Sequence, residues 1–229
     1  MHRMDPVTDA RALVAERFPA ARAAFLGAGV LSDLRTPTSD LDVVVILDGP
    51  PAPFRESTRW RDWPAEVFVH DVHHIGDWFA KDLARRRPTL ARMCADGAIL
   101  TDTDGTAAAV RDQAKAVLAA GPPPVATAEL DHRRYALTDL LDDLAGSDDP
   151  GETVIICCHI LVQTAELALI NRASWLGSGK WLLRELRTAD PAFAGDLIAA
   201  HDRPEDLAQL ADRVLAAAGG QLWAGYRAS

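Results

Sequence analysis

The sequence is poor in cysteine, and its few cysteines do not have the spacing of a disulfide framework or a zinc site. It contains three, Cys94, Cys157 and Cys158, an odd number with no CxxC pair. A disulfide framework usually has an even set, and a structural zinc site needs spaced Cys and His ligands. We therefore predict buried free thiols in a reducing compartment, with neither disulfides nor zinc.

Basic side chains are also scarce relative to acidic ones. The chain has 24 Lys and Arg against 33 Asp and Glu, which gives a formal net charge of −9 at pH 7. An acidic surface repels phosphate backbones, so we do not expect nucleic acid as a partner. One local basic cluster, Lys81 with residues 85–87, is typical of a solvated helix end or of a polyanion site.

Long apolar runs are missing as well. No stretch approaches the roughly 20 uninterrupted apolar residues of a membrane span. The longest candidate, residues 154–170, is interrupted by His159, Gln163 and Glu166. Residues 1–10 carry charges and a proline rather than the apolar core of a signal peptide. These patterns predict no membrane span and a cytoplasmic location.

Strand and helix patterns alternate in the first half of the chain. With 229 residues, 48% of them apolar, the protein is large enough to bury a real core. The segment 41–47, LDVVVIL, is β-branched and almost continuously apolar, which predicts a buried central strand. Weaker patterns predict strands at 24–26 and 65–70, an edge strand at 97–100, a loop at 52–64, and helices at 9–17, 75–87 and 104–119.

The Gly-Pro-Pro-Pro segment at 121–124 is the clearest linker, and the pattern changes after it. Five segments with helical period follow, and no strand pattern has equal weight. We therefore predict an α+β protein, with a small mixed-sheet domain at residues 1–121 and an all-α helical bundle at residues 122–229. The predicted helices of the bundle are 127–145, 153–171, 181–187, 192–200 and 204–223.

The chemically informative stretch is FLGAGVLSDLRTPTSDLDVVVIL, residues 25–47. Side chains alternate between the faces of a strand, so Asp40 and Asp42 are predicted to share one face. Two such carboxylates repel each other, and Mg²⁺ relieves that repulsion while binding substrate phosphates. The turn at Gly27–Gly29 lets the backbone approach phosphate oxygens, and a helix starting there would point free N–H groups at them.

A third carboxylate follows on the next predicted strand. Glu66 opens the segment AEVFVH, on a strand expected to lie beside the first pair. It can complete the metal site or accept the proton of an attacking hydroxyl. Asp71, five residues further on, is the competing candidate, and an acid from the second domain also stays open as the general base.

Gly27 to Val45 resembles the signature of the DNA polymerase β-like nucleotidyltransferase superfamily. That signature is a Gly-Ser turn, a spacer, and Asp-hydrophobic-Asp opening a hydrophobic strand. The chain looks similar to bacterial small-molecule nucleotidyltransferases, including aminoglycoside and lincosamide adenylyltransferases, and to minimal nucleotidyltransferase domains. The resemblance covers roughly residues 10–100, and a helical second half is usual in that group.

The resemblance implies transfer of NMP, usually AMP from ATP, to a hydroxyl group with release of pyrophosphate. It also implies Mg²⁺ held by three carboxylates, which match Asp40, Asp42 and Glu66. The turn of Gly27, Ala28 and Gly29 would bind the triphosphate. The family serine is replaced here, since the aligned pair is Ala28-Gly29, and Ser39 or Ser32 is a candidate substitute for its hydroxyl.

Outside this stretch, further residues have both a structural and a functional interpretation. Lys180, beside the glycines of GSGKW, is either part of a helix–helix turn or a phosphate-binding residue. The cluster HDVHH at 70–74 matches no zinc motif. Asp139 and Asp143, one turn apart, form either an acidic outer face or a surface for a cationic acceptor.

The function predicted from these features is Mg²⁺-dependent transfer of NMP to a hydroxyl of a small molecule, for which an antibiotic is one candidate. The alternative is a catalytically weakened nucleotide-binding protein, or an antitoxin-like protein acting on a protein partner. The missing turn serine favours the alternative, while the retained carboxylates oppose it. The nucleotide, the acceptor and the formation of a homodimer all stay open.

Overall fold

A computed structural model describes residues 5–33 and 35–227. The chain divides into two compact units, Met1–Ala120 and Gly121–Ser229, so the Gly-Pro-Pro-Pro segment opens the second unit. The first unit contains a mixed sheet with helices, and the second is helical. The predicted α+β fold class is therefore confirmed.

The first unit is organised around one five-stranded sheet with the order β3-β4-β2-β1-β5. The central pair, β2 and β4, is parallel, and the other neighbours are antiparallel. The segment predicted at 97–100 is an edge strand, as expected. The strands are β1 Ala23–Leu26, β2 Leu41–Leu47, β3 Phe54–Trp60, β4 Trp63–Asp71 and β5 Ala98–Asp102.

Helices cover both faces of this sheet, which explains why β2 is apolar at every position except Asp42. Val43 and Val45 pack with α1 on one face, whereas Val44 and Ile46 pack with α2, α3 and α4 on the other. A strand buried on both faces has no solvent side on which to place alternating polar residues. The helices of this unit are α1 Pro6–Arg17, α2 Ile75–Ala84, α3 Thr89–Asp96 and α4 Thr106–Ala120.

The structure corrects the predicted loop at 52–64. This segment forms β3 and a tight hairpin to β4, with Arg61 in the turn at φ 54°. Its side chains alternate between half-buried and exposed, as expected of an edge strand. The flanking prolines and the charged exposed face hid this alternation in the sequence.

Several helix boundaries also differ from prediction. The first helix begins at Pro6 rather than at residue 9, and its N-cap is Asp5, whose Oδ2 accepts a hydrogen bond from the Thr8 amide at 2.9 Å. The helix predicted at 75–87 ends at Ala84, and α3 follows it as a separate helix. The last helix ends at Ala217 because Gly219 and Gly220 follow with positive φ.

The second unit has its own apolar core, and α6 contributes many of its members. Among the described residues, α6 is the one helix whose length and composition suit a membrane span, and 39% of its apolar window is buried. Core helices of soluble proteins can have the same length and composition, so α6 is weak evidence for a membrane span. The cytoplasmic location stays a prediction. The helices are α5 Thr127–Gly146, α6 Pro150–Asn171, α7 Lys180–Ala189, α8 Pro191–Ala199 and α9 Pro204–Ala217.

The cysteines are free thiols, as predicted, but they are not all buried. Cys94 and Cys157 are buried, whereas Cys158 is exposed on α6. Burial raises the pKa of the Cys94 thiol to about 12, so this cysteine is an inert part of the core at neutral pH.

Candidate metal centre

The first two predicted carboxylates lie at the amino end of the central strand. Asp40 directly precedes β2, and Asp42 is its second residue. Leu41 between them is fully buried in the layer packed against α1. Because neighbouring side chains on a strand point to opposite faces, Asp42 lies on the face covered by α2, α3 and α4.

Parallel pairing brings the third carboxylate to the same place. In the register of β2 and β4, Asp42 lies directly opposite Glu66. Adjacent strands are separated by about 4.8 Å, so side chains opposite each other on one face are close neighbours. The expectation that the Glu66 strand lies beside the Asp42 strand is therefore met.

Asp40, Asp42 and Glu66 form a cluster of three half-buried carboxylates, in which one oxygen from each residue lies within 4.8 Å of the others. Within residues 5–33 and 35–227, this is the one group of three or more acidic, His or Cys side chains able to hold a metal ion. Three negative charges at this spacing repel one another unless a cation is shared. An all-oxygen set of carboxylates suits Mg²⁺ or Mn²⁺.

The glycine turn is joined to this cluster by a backbone hydrogen bond. The Gly27 amide, immediately after β1, donates to the Asp42 carbonyl at 2.8 Å. A Cβ at Gly27 would lie 3.2 Å from the Asp42 Cβ and 3.3 Å from Met93 Cγ. Gly27 has an ordinary φ of −56°, so the tight space, rather than the backbone conformation, favours glycine there. The turn therefore lies directly against the carboxylate site.

Gly29 differs from Gly27, since a Cβ added there would meet nothing within 4 Å. It lies in a single turn of 3₁₀ helix, Ala28–Leu31, so the predicted α-helix after the glycine turn is wrong. The turn ends at Ser32, whose backbone is extended at φ −90° and ψ 162°. Any phosphate contact by the turn would therefore depend on individual amides rather than on a full helix terminus.

The two serines considered as substitutes for the family serine both have local partners. Ser32 Oγ donates to the Gly29 carbonyl at 3.0 Å. Ser39 Oγ accepts the Thr36 amide at 2.9 Å and so closes the turn before Asp40. Each of these two hydroxyls therefore stabilises a turn beside the candidate site.

A basic residue that the sequence analysis missed contacts the third carboxylate. Arg55 on β3 donates through Nη2 to Glu66 Oε2 at 2.5 Å. Its guanidinium also lies over the Phe68 ring, 4.8 Å from the ring centroid. The available signal was the alternation of residues 54–60, which places Arg55, Ser57 and Arg59 on one face of a strand.

The competing carboxylate, Asp71, lies outside the cluster. It occupies the far end of β4, opposite Leu47, and its Oδ1 accepts the His73 amide at 2.7 Å. Five residues of strand separate it from Glu66, which corresponds to about 16 Å and places it on the opposite face. Of the two candidates, the structure brings only Glu66 beside Asp40 and Asp42.

The histidine cluster forms no metal group among the described residues. His70 is buried beside Trp78, with ring centroids 5.1 Å apart, and its Nδ1 has no hydrogen-bond partner. Burial, with a smaller contribution from the positive charge of Lys81, lowers the His70 pKa to about 4. His70 is therefore a neutral core residue at pH 7. His73 and His74, in contrast, are exposed.

Lys180 belongs to the second unit, where it is exposed at the start of α7. The loop before it is tightly packed, because a Cβ at Gly177 would lie 2.3 Å from the Trp181 backbone. Gly179 caps α7 with φ 52°, a conformation that favours glycine. The glycines are thus explained by a compact helix–helix turn, and phosphate binding by Lys180 stays a prediction.

The acidic face predicted on α5 borders a groove in the second unit. The groove has a volume of about 720 Å³, and its lining includes Asp142, Asp143, Glu152 and Ile155. Asp139 is not among the residues of its wall. Glu166, one of the residues that interrupt the apolar run of α6, accepts a hydrogen bond from Arg133 Nη1 at 2.8 Å.

No family model matches the sequence, and no curated protein matches it. Among solved structures, the chain is similar to a nucleotidyltransferase-like protein from Exiguobacterium sibiricum 255-15. The two share 12% sequence identity and a TM-score of 0.48, over 94% of this chain and 77% of that protein. A similarity of this degree assigns no function, so the functional argument depends on the site itself.

Proposed function

We propose that the protein is an Mg²⁺-dependent nucleotidyltransferase that moves NMP, with AMP from ATP as the first candidate, to a hydroxyl of a small molecule. The observation that carries this proposal is the convergence of Asp40, Asp42 and Glu66 within 4.8 Å, directly beside Gly27. A structural role for three converging carboxylates would be costly, because their repulsion opposes folding. A site for a divalent cation with a polyphosphate accounts for both the carboxylates and the small-residue turn.

In the proposed reaction, the acceptor hydroxyl oxygen forms a bond with the α-phosphorus of the nucleotide. The bond from that phosphorus to the oxygen bridging to the β-phosphate breaks, and pyrophosphate leaves with the electron pair. The hydroxyl proton passes to a base, for which Glu66 is the candidate within the first unit. Atoms and charge balance without any oxidant or further reactant.

Each site residue has a defined part in this proposal. Asp40, Asp42 and Glu66 would hold the metal, which when bound neutralises phosphate charge and favours attack on the α-phosphorus. The amides of residues 27–29 would contact phosphate oxygens, and Gly27 keeps the space beside Asp42 open. Ser39 would orient the segment that leads to Asp40, and phosphate binding by Lys180 stays a prediction from the sequence.

A second candidate function is nucleotide binding without transfer, in a catalytically weakened or antitoxin-like protein. The specific observation that favours it is the turn itself, which has Ala28-Gly29 in place of Gly-Ser. The Ser32 hydroxyl nearby donates to a backbone carbonyl rather than standing free at the turn. Both candidates use the same carboxylates, and they differ in whether pyrophosphate is released.

The deciding experiment incubates the protein with Mg²⁺, each labelled NTP in turn, and a panel of aminoglycosides and lincosamides, and measures pyrophosphate. We expect release with at least one acceptor, and we expect Asp42→Asn to reduce it to background. Asp71→Asn is the matched control, because Asp71 is a half-buried acid of the same sheet outside the cluster. Nucleotide binding in calorimetry without pyrophosphate release would support the second candidate instead.

A further inference from the structure

The contact between Arg55 and Glu66 joins a mostly exposed positive charge to one of the three clustered carboxylates. The Arg55 side chain is 58% exposed, while that of Glu66 is 29% exposed. The guanidinium and the carboxylate are both charged, so their contact is a charge-assisted hydrogen bond. A long, mostly exposed side chain on an edge strand can leave such a contact without disturbing the core.

Arg55 and a divalent cation would use the same carboxylate. Glu66 supplies the third oxygen of the cluster that can hold a metal, and the same side chain accepts from Arg55. A guanidinium beside the cluster reduces the negative potential that an approaching cation meets. Solvent screens this effect, since Arg55 is exposed, so the expected change in metal affinity is modest rather than absolute.

We propose that Arg55 is the resident counter-cation of the three-carboxylate cluster and competes with the metal ion for Glu66. This inference rests on the proposed metal centre. Arg55 would stabilise the cluster before metal arrives, and its departure from Glu66 would accompany metal binding. Arg55 is therefore a positioning residue that acts through Glu66, and it is not itself a ligand of the metal.

The chain offers a matched control in Arg59. In the pairing of β3 with β4, Ser57 lies opposite Glu66, Arg55 lies opposite Phe68 and Arg59 lies opposite Pro64. The two arginines are thus on the same face of the same strand, each two residues from Ser57. Among the described residues, Arg59 is exposed and forms no hydrogen bond or ion pair. Removing it changes the net charge equally without breaking the Glu66 contact.

The test is calorimetric titration of Mn²⁺ into the full chain, with no nucleotide present. We expect Arg55→Ala to bind Mn²⁺ about three- to fivefold more tightly than wild type, the upper part of the range for one partly screened charge contact. Arg59→Ala should stay within about twofold of wild type, because its charge is more distant and screened. Arg55→Lys should restore affinity close to wild type, since it keeps a positive charge within reach of Glu66.

The outcomes separate this inference from the function on which it rests. If wild type binds no Mn²⁺, the metal centre and the inference both fail. If wild type binds Mn²⁺ but Arg55→Ala matches Arg59→Ala, only the competition is refuted. Weaker binding by Arg55→Ala would also refute it, because Arg55 would then be holding Glu66 in place for the metal. Thermal melts of the metal-free variants identify any loss of folding.

Discussion

Two glycines of the same turn should respond in opposite directions to the same substitution. At Gly27, a Cβ would lie 3.2 Å from the Asp42 Cβ and 3.3 Å from Met93 Cγ, whereas at Gly29 it would meet nothing within 4 Å. Neither glycine has a positive φ. Alanine is therefore allowed by the backbone at both positions, and the available space decides the result.

The magnitudes follow from these contacts. Overpacking a tight site costs about 1–3 kcal/mol, while replacing glycine lowers the entropy of the unfolded chain and gains about 0.4–1 kcal/mol. The Met93 side chain can move, but the Asp42 Cβ is fixed on the central strand. We therefore expect Gly27→Ala to destabilise the protein by about 1 kcal/mol and Gly29→Ala to stabilise it by about 0.5 kcal/mol.

Urea denaturation of the two variants beside wild type measures both effects, and Mn²⁺ calorimetry adds a second readout. Gly27→Ala should weaken Mn²⁺ binding, because the shift it forces falls on Asp42, and Gly29→Ala should leave it unchanged. Equal stabilities for the two variants would refute the argument that Gly27 is present to make room beside the carboxylates. Unchanged Mn²⁺ affinity in Gly27→Ala would refute the link from turn to metal centre.

Two further predictions concern buried polar groups in the first unit. Asp9 is 2% exposed, accepts a hydrogen bond from Trp63 Nε1 at 2.9 Å and pairs with Arg61. Asp9→Ala should therefore lower the free energy of unfolding in urea by about 2–4 kcal/mol. A decrease below about 0.5 kcal/mol would contradict this role. The His70 pKa is lowered to about 4 in the folded protein. Between about pH 6.5 and 4, His70 is therefore protonated in the unfolded chain but neutral in the folded one. Stability falls as the pH drops through that window. His70→Gln should reduce that pH dependence by about 2 kcal/mol, and identical stability–pH curves would show that His70 does not contribute.

The central part of the candidate site could be predicted from sequence because it depends on local rules. Side chains alternate along a strand, so Asp42 and Leu41 lie on opposite faces of the sheet. The apolar run that follows Asp42 identifies a buried central strand. The choice of Glu66 over Asp71 required the register of β2 with β4. Register is a property of two strands together, which a single segment does not specify.

Other features depended on interactions that the sequence does not display. β3 was missed because it is an edge strand with charged residues on its exposed face, preceded by several prolines. Missing β3 also concealed Arg55, whose relation to Glu66 exists only across the hairpin. The 3₁₀ turn at Ala28–Leu31 lies where a helix was predicted, and the backbone becomes extended at Ser32.

The central claim is that Asp40, Asp42 and Glu66 share a divalent cation. The most direct measurement is a crystal of the protein grown with Mn²⁺ and a non-hydrolysable ATP analogue, with data collected for manganese anomalous scattering. The account predicts anomalous density in contact with oxygens of all three carboxylates, with analogue phosphates beside it and next to residues 27–29. Bound analogue with no anomalous density at these carboxylates, or manganese held elsewhere in the chain, would contradict it.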